Sequence, residues 1–299
     1  MHNHNMVIGM DCGASHSVLK VWENGKVVLE RHDLPGANFD LINQEKIRTQ
    51  FLLEFERLSV YREAFIVIGM AGLDDTNEEN EADGWFRRLL DTTITYSSLK
   101  VMSDCELLLW AGSNSGVGIA LVAGTGSNCL SRNASGKMNK VGGMSHILSD
   151  EGAGFSLGWR CLHLVTKMAD GRERSTDLVG EVLSFFNVKN IIELKNYLLN
   201  KDLKIEVAKL APLLLAASER GEESAGKIVL EESGELVKMI EASNKYFDPE
   251  ILPVFIAGSV FKNYAYREQF VLNLHCIYIN QKVSVVNPID GAWGYAQKR

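Results

Sequence analysis

Two short turns of small residues, each following an apolar segment, are the first candidates for chemistry in this sequence. Residues 11–15 read DCGAS after MVIGM, and residues 124–127 read GTGS after VGIALVA. Such turns can aim several backbone N–H groups at one anion, and glycine permits the close approach and the positive φ angles that this requires. Either turn taken alone is better interpreted as a simple tight turn. Their matching positions in two halves of the chain favour a polyphosphate site clasped between two domains.

Three acidic residues stand where a predicted strand or turn ends: Asp11, Asp104 and Asp150. Asp11 follows apolar residues and precedes a glycine turn, which suits a carboxylate that holds Mg²⁺ directly or through water. Asp104 and Asp150 are equally compatible with helix N-caps. A third small-residue turn, IAGSV at residues 256–260, could pass beneath a flat ring such as adenine, where a side chain would collide.

Other nucleotide-binding patterns are absent or incomplete in the sequence. GEESAGK at residues 221–227 satisfies the glycine and lysine spacing of a P-loop, but Ile228 replaces the required Ser or Thr and no strand precedes it. We interpret this segment as a helix junction. None of the predicted strands is followed by G-x-G-x-x-G, so a Rossmann dinucleotide site has no support.

The elements that must position these residues fall into two similar series. The first series contains strands at 6–11, 18–22 and 27–31 with a hairpin turn at Asn24-Gly25, a helix over 39–58, a strand at 64–72, a helix from Thr76, a strand at 99–103 and a helix from Asp104. The second contains strands at 117–124, 128–133 and 138–141, a mostly helical segment at 152–244 interrupted near Pro212, strands at 251–259, 275–279 and 283–286, and a helix after Pro288.

Both series begin with strand, glycine turn, strand, tight turn and strand, which indicates two related halves and an α/β class. At 299 residues the chain also exceeds the usual size of a single hydrophobic core. We therefore expect two domains, with a boundary near the small polar segment SNSGV at residues 113–117.

Composition excludes several classes of protein. The hydrophobic fraction of 46% and the charged fraction of 23% are ordinary for a globular protein. The net charge of −7, without a basic block, argues against nucleic acid or an anionic membrane as a partner. The five cysteines are scattered without C-x-x-C, and there is neither a secretory signal nor an apolar run of membrane-spanning length. These features predict a soluble cytoplasmic protein.

The central motifs resemble those of a known family. AGTGSNC at residues 123–129, followed by GGMSHILSDEGAGFSLG at 142–158, is similar to the N-acetylglucosamine kinase and BadF/BadG/BcrA/BcrD ATPase group of the sugar kinase–Hsp70–actin superfamily. GMDCGASHS at 9–17 resembles the first phosphate loop of the group, VMSDCELLLWAG at 101–112 its catalytic-aspartate segment, and FIAGSV at 255–260 its adenosine segment. The resemblance runs in order over nearly the whole chain.

The resemblance implies a two-lobed, ribonuclease H-like (actin-like ATPase) fold with duplicated βββαβαβα units and an interdomain cleft. The first lobe would span residues 1–115, and the final helix, about 288–299, would pack back on it. The second lobe would span residues 116–287 and include a helical insertion over about 152–244.

The resemblance also implies an ATP- and Mg²⁺-dependent kinase acting on an amino sugar. Asp104 would accept the proton of the sugar 6-hydroxyl, and Asp11 would help to place Mg²⁺. The nucleotide would be bound by Gly13, Ser15, Thr125, Gly126, Gly258 and Ser259. The sugar would be bound by Asn38, Ser127, Asn128, Gly143, Met144 and Asp150. A homodimer is compatible with the resemblance, although no sequence feature establishes one.

Two departures from the family pattern concern these loops. Cys12, Ala14 and Ser15 stand in a first loop that is usually richer in glycine and often carries threonine. Met144 and Ser145 stand where many members have Trp-Gly, close to the sugar. We hypothesise that Met144 leaves room for a bulkier 3-substituent, as in N-acetylmuramic acid.

Several functions stay open at this point. N-acetylglucosamine is the first choice of acceptor, with N-acetylmuramic acid and glucosamine as alternatives. An ATPase activator of a 2-hydroxyacyl-CoA dehydratase shares the fold but would need paired cysteines for an iron–sulfur cluster, and only Cys105 and Cys129 come close. A sugar sensor without turnover is a further alternative. A repressor of related fold would need an added helix-turn-helix, and this chain starts directly at its first predicted strand.

Overall fold

The computed structural model describes residues 4–39, 45–73 and 76–298. The chain forms two compact units. The first unit comprises Met1–Ala120, Leu130–Asn139 and Ser284–Arg299, and the second comprises Leu121–Cys129 and Lys140–Val283. The domain boundaries expected from the sequence stay a prediction.

The first series of elements builds a five-stranded sheet with helices. Its elements are β1 (Met6–Cys12), β2 (His16–Glu23), β3 (Lys26–Pro35), α1 (Glu45–Leu58), β4 (Ala64–Met70), α2 (Thr76–Leu90), β5 (Tyr96–Ser103) and α3 (Asp104–Gly112). The strand order is β3-β2-β1-β4-β5. β1 pairs antiparallel with β2 and parallel with β4, and β4 pairs parallel with β5. The carboxyl ends of β1, β4 and β5 therefore share one edge of the sheet.

Local sequence accounts for most of these elements. Asn24 and Gly25 both have positive φ, 50° and 79°, which is the geometry of the predicted hairpin turn. β4 is buried along its whole length, as expected of a central strand covered on both faces. In α1 the buried residues recur at helical spacing (Ile47, Phe51, Phe55 and Leu58). The predicted start of this helix, including Leu41 and Ile42, lies outside the described residues.

A second sheet repeats the order of the first. Its strands are β6 (Gly118–Ala123), β7 (Ser127–Arg132), β8 (Met138–Gly142), β9 (Val254–Ala257) and β10 (Val283–Val285), arranged as β10-β9-β6-β7-β8. Read from the opposite edge, this order is β8-β7-β6-β9-β10. When the strands of each sheet are numbered one to five along the chain, both sheets have the order 3-2-1-4-5. This common order confirms the prediction of an α/β chain built from duplicated units.

The second series also contains the remaining helices that the structure describes. They are α4 (Ser145–Leu148), α5 (Gly154–Ala169), α6 (Leu178–Phe185), α7 (Ile191–Leu198), α8 (Leu203–Ala208), α9 (Ala211–Glu219), α10 (Glu223–Tyr246), α11 (Tyr264–Ile277) and α12 (Asp290–Ala296). The segment GEESAGK joins α9 to α10, which confirms that it is a helix junction. None of the described helices combines the length and hydrophobicity needed to cross a bilayer.

The helical region is interrupted near Pro212 as predicted, since α8 ends at Ala208 and α9 begins at Ala211 with Pro212 in its first turn, where proline is well tolerated. The prediction of a single interruption is wrong, because other connections between α5 and α10 also break the region. The strand predicted at residues 275–279 is wrong as well. Residues 275–277 belong to α11 and not to a strand, because Tyr266, Phe270 and Leu274 lie four residues apart and are buried together on one face of the helix.

Candidate active site

Asp11 and Asp104 lie at the carboxyl edge of the first sheet. Cys12 pairs with Met70 in β4, and Met70 pairs with Ser103 in β5, so the ends of the three strands are in register. Asp11 precedes the end of β1 by one residue, and Asp104 follows the end of β5 directly. The sheet topology thus brings together two acidic residues that are 93 positions apart in sequence.

The environment of Asp11 disfavours its charged form. Burial and, next, the negative charge of Asp104 raise the pKa of the Asp11 carboxyl to about 7. A divalent cation at this edge would relieve both effects, since it would supply the opposite charge that the two carboxylates lack.

The carboxylates of Asp11 and Asp104 fit a magnesium ion delivered with a nucleotide. Mg²⁺ usually takes one or two protein carboxylates and completes its shell with water and phosphate oxygens. No cluster of three or more potential metal-binding side chains (His, Cys, Asp or Glu) occurs within residues 4–39, 45–73 and 76–298. The donors therefore suit a shared ion better than a closed protein cage.

Asp104 is the first residue of α3 but not its N-cap. Ser103 is the N-cap, and its side chain accepts a hydrogen bond from the amide of Glu106 at 3.1 Å. Asp104 instead accepts a hydrogen bond from the amide of Cys105 through Oδ1 at 2.7 Å. The N-cap interpretation of Asp104 is wrong because the serine one position earlier already fills that role. A half-buried carboxylate at the positive end of a helix is the result.

Close packing against glycine fixes the position of α3. A methyl group at Gly69 of β4 would lie 2.4 Å from Leu107 Cδ2, and one at Gly291 of α12 would lie 1.9 Å from the Leu107 carbonyl oxygen. Gly294 meets the Trp110 carbonyl in the same way, at 2.5 Å. The helix that begins with Asp104 is thus held directly against β4 and α12.

The first small-residue turn is closed by its own backbone. The amide of Gly13 donates to the carbonyl of His16 at 3.1 Å, and the carbonyl of Gly13 accepts from the amide of Ala37 at 3.0 Å. The Gly13 amide is therefore engaged within the turn, whereas the Ser15 side chain is exposed. Asn38 forms a parallel bridge with Ala71, directly after β4, which places it at the same edge as Asp11.

The second small-residue turn is held by the first turn of α5. The amides of Gly154 and Phe155 donate to the carbonyls of Gly124 and Thr125 at 2.8 and 2.9 Å. Gly258, with φ of 113°, packs so closely on the end of β6 that a methyl group there would lie 2.1 Å from the Ala123 carbonyl. A methyl group at Gly124 would lie 4.0 Å from Ser259, so the start of the turn that contains Thr125 and Gly126 approaches the 258–259 turn.

Asp150 lies under the same turn and is only 3% exposed. Its Oδ1 accepts a hydrogen bond from the amide of Ser127 at 2.9 Å. Its Oδ2 lies 2.9 Å from Lys204 Nζ but makes no hydrogen bond of regular geometry, so this oxygen retains capacity to accept one. The N-cap interpretation of Asp150 is wrong: it has a positive φ of 74°, and the N-cap of α5 is Ala153.

Of the other predicted sugar-binding residues, Ser127 contacts this carboxylate directly. The Ser127 hydroxyl donates to the carbonyl of Glu151 at 2.8 Å. A methyl group at Gly143 would lie 2.6 Å from Asn128 Oδ1, so Gly143 lets the loop after β8 approach the start of β7. Met144, the next residue, is 50% exposed.

Four residues of the second unit that the sequence analysis did not identify contact the segment 143–152. Lys204 contacts Asp150, and Lys140 approaches Gly143. Glu232 accepts a hydrogen bond from the Gly152 amide at 2.7 Å, and Tyr266 donates one to the Gly152 carbonyl at 2.8 Å. Three of the four come from helices remote in sequence, and no local pattern marks them.

The chain is similar to a family of ATPases and to named sugar kinases. A family model described as the BadF/BadG/BcrA/BcrD ATPase family matches residues 8–296. An N-acetylmuramic acid/N-acetylglucosamine kinase of Clostridium acetobutylicum is 29% identical over 299 aligned residues, which cover 96% of each chain.

Solved structures share the fold. A candidate N-acetylglucosamine kinase from Chromobacterium violaceum superposes with a TM-score of 0.76 at 19% identity, covering 99% of this chain and all of the other. A ROK family glucokinase from Streptomyces griseus, solved with glucose and AMPPNP, superposes with a TM-score of 0.64 at 12% identity, covering 98% and 100%. Together with the repeated sheet order, these likenesses confirm the actin-like fold class predicted from the sequence.

Proposed function

The chain belongs to the BadF/BadG/BcrA/BcrD ATPase family, and we propose that it is an ATP-dependent kinase that phosphorylates the 6-hydroxyl of an amino sugar. N-acetylglucosamine is the acceptor proposed first. The relative from Clostridium acetobutylicum, which aligns over almost the full length, carries that sugar and N-acetylmuramic acid in its name.

One observation supports this proposal above the others. Asp104 lies at the carboxyl edge of the first sheet, near enough to Asp11 for its charge to raise the pKa of Asp11. Paired carboxylates at one sheet edge, one able to accept a proton and one able to meet a cation, are what phosphoryl transfer to an alcohol requires.

In the proposed reaction Asp104 accepts the proton of the sugar 6-hydroxyl. The oxygen then bonds to the γ-phosphorus of ATP, the bond from that phosphorus to the bridging oxygen breaks, and ADP leaves. Asp11 would hold Mg²⁺ directly or through water, and the ion would neutralise charge on the phosphate oxygens. The contribution of the protein is alignment, which can lower a barrier by roughly 7–11 kcal/mol.

The turns of the two units have distinct proposed roles. In the first unit, Ser15 would line the phosphates, Gly13 would keep the turn tight, and Asn38 would bind the sugar. In the second unit, Thr125, Gly126, Gly258 and Ser259 would bind the nucleotide.

The proposed sugar ligands of the second unit are Ser127, Asn128, Gly143, Met144 and Asp150. The underused Oδ2 of Asp150 suits a sugar hydroxyl donor. The Ser127 hydroxyl is occupied by the Glu151 carbonyl, so Ser127 would act chiefly by holding Asp150 through its amide.

N-acetylmuramic acid is a second candidate acceptor because of Met144. Its exposed, unbranched side chain follows Gly143 directly and can move aside for a substituent on the sugar 3-oxygen. Glucosamine has no comparable support.

The test is an ADP-release assay coupled to a panel of free hexosamines, with Asp104→Asn as the diagnostic variant. We expect turnover with N-acetylglucosamine and a loss of about 10²–10⁴-fold in kcat for Asp104→Asn, since general-base catalysis contributes that much. Sugar affinity, measured by calorimetry, should be largely kept. Asp33→Asn, at an exposed carboxylate on β3, is the matched control. Full turnover in Asp104→Asn would remove Asp104 from the mechanism, and sugar binding without any turnover in the unaltered protein would favour a sensor.

The alternative of an iron–sulfur ATPase activator is not favoured by the candidate cysteines. Cluster ligands must be thiolates, whereas burial raises the pKa of the Cys129 thiol to about 12. Cys105 is buried as well.

A further inference from the structure

We propose that Lys140 and Lys204 form an anion-binding subsite beside the amino sugar, which receives a carboxylate carried on the substituent of the sugar 3-oxygen. This inference rests on the proposed function, because it places the subsite next to the proposed sugar ligands Gly143 and Asp150. The site would then bind the carboxylate of an acidic amino sugar directly, in addition to having space for it.

Lys204 supplies the first positive charge. Its Nζ lies 2.9 Å from Oδ2 of the buried Asp150, and its own side chain is 28% exposed, so the ammonium meets both the protein carboxylate and solvent. A lysine ammonium has three N–H donors. A contact with Asp150 therefore leaves Lys204 able to donate to a second carboxylate.

Lys140, in the middle of strand β8, supplies the second positive charge. A methyl group at Gly143 would lie 3.2 Å from Lys140 Cε and 2.6 Å from Asn128 Oδ1. The end of the lysine chain thus passes over Gly143, beside Asn128. Both lysines approach the short segment formed by residues 126–128. Asp150, which Lys204 contacts, lies against Gly126 and Ser127, and Gly143, which Lys140 approaches, lies against Asn128.

The two lysines contrast with the overall charge of the chain. The net charge is −7, yet Lys204 and Lys140 both approach a loop whose proposed sugar ligands are neutral apart from Asp150. A neutral hexosamine needs hydrogen-bond partners but no such pair of cations. N-acetylmuramic acid, a sugar named for the Clostridium acetobutylicum relative, carries a lactyl carboxylate on the 3-oxygen. The exposed Met144 leaves space for that group, and the lysines match its charge.

The experiment compares N-acetylmuramic acid, its uncharged methyl amide and N-acetylglucosamine as acceptors for the full chain. The quantity measured is kcat/KM for N-acetylmuramic acid divided by kcat/KM for N-acetylglucosamine. We expect Lys204→Gln and Lys140→Gln each to lower this ratio about tenfold, since a charge-assisted hydrogen bond is worth about 1.4 kcal/mol or more. The corresponding ratio for the methyl amide should not respond to either substitution. Added salt should raise KM for N-acetylmuramic acid more than for N-acetylglucosamine.

Lys209→Gln is the matched control, because Lys209 is an exposed lysine that directly follows α8 and pairs with Glu206 at 2.7 Å. If either lysine variant weakens sugar binding in general, the ratio still isolates the carboxylate. Turnover with N-acetylglucosamine but none with N-acetylmuramic acid would overturn this inference and leave the proposed function standing. An unchanged ratio in both lysine variants would also overturn it. Absence of turnover with every hexosamine would overturn the proposed function and this inference together.

Discussion

At the level of single residues, Asp11 and Asp104 share one sheet edge but have different surroundings. Asp104 accepts a hydrogen bond from the Cys105 amide at the start of a helix, which is the positive end of the helix dipole. Asp11 lies in surroundings that favour its protonated form until a cation arrives. The difference matches the proposed roles of proton acceptor and ion-binding group.

The raised pKa of Asp11 predicts a specific pH dependence of stability in the presence of EDTA. The folded-state pKa of about 7 exceeds the ordinary value of about 3.9, so the folded protein binds an extra proton between these values. The free energy of unfolding should therefore fall as pH rises from about 4 to about 7 and then level off. Asp11→Asn should remove this slope.

Urea denaturation at pH 5 and pH 8 measures the effect. The control Asp33→Asn should keep the slope, because the pKa of Asp33 is lowered by Arg31 and the group stays ionised over this range. An identical pH dependence in the unaltered protein and in Asp11→Asn would contradict the prediction.

Gly126 tests the geometry of the proposed sugar site. A methyl group there would lie 2.5 Å from Asp150 Oδ1 and 2.7 Å from Oδ2, so Gly126→Ala must displace the carboxylate. We expect KM for the sugar to rise at least about tenfold, the equivalent of losing about 1.4 kcal/mol of binding, and KM for ATP to rise as well because Gly126 is also a proposed nucleotide ligand. Steady-state kinetics with each substrate varied in turn measure this. Gly136→Ala, at a position with open space but a strained φ of 82°, controls for a general loss of stability. An unchanged KM for the sugar would argue against a sugar-side role for Asp150.

At the level of elements, the position of Asp104 depends on how closely α3 approaches β4 and α12. Gly69, Gly291 and Gly294 allow backbone and side chains of α3 to lie where any Cβ would intrude. The position of the proposed base thus depends on the packing of α3 as well as on the end of β5, which directly precedes Asp104.

Gly291→Ala should disturb this packing. The added methyl group would lie 1.9 Å from the Leu107 carbonyl oxygen, a backbone atom that cannot rotate away. We expect a loss of about 1–3 kcal/mol in the free energy of unfolding and a lower kcat through displacement of α3. Gly234→Ala is the opposite control, since it lies within α10 with open space around it and should stabilise the protein by about 0.5–1 kcal/mol. Denaturation curves that move the same way for both variants would contradict this account of α3.

The sequence predicted elements best where the signal is local. The Asn24-Gly25 hairpin, the strands before each glycine turn and the acidic helix from Thr76 are all confirmed. The strand predicted at residues 275–279 is wrong, because residues 275–277 continue α11. The helical spacing of Tyr266, Phe270 and Leu274 cannot be seen in the five residues 275–279 alone. Ser103 was overlooked as an N-cap because Asp104 beside it is an equally good capping residue by type.

Contacts between residues far apart in sequence could not be predicted from the sequence. Lys204 meets Asp150 from α8, and Glu232 and Tyr266 meet Gly152 from α10 and α11. Nothing in the neighbouring residues of these three marks them, since the fold alone brings them to the loop.

At the level of the whole molecule, the two sheets have the same strand order. In each sheet the first strand along the chain is followed by a turn of small residues. Duplication of one unit explains why the chain carries two such turns. In each sheet the proposed ligands lie at or just after strand ends, which is where open α/β sheets commonly bind their substrates.

The most direct test of the central claim is a crystal structure with N-acetylglucosamine and a non-hydrolysable ATP analogue. We predict a carboxylate oxygen of Asp104 within about 2.6–3.2 Å of the sugar 6-oxygen, as a general base requires, and the γ-phosphate facing that oxygen. A sugar bound away from Asp104, or an Asp104 carboxylate turned from the 6-oxygen, would contradict the account.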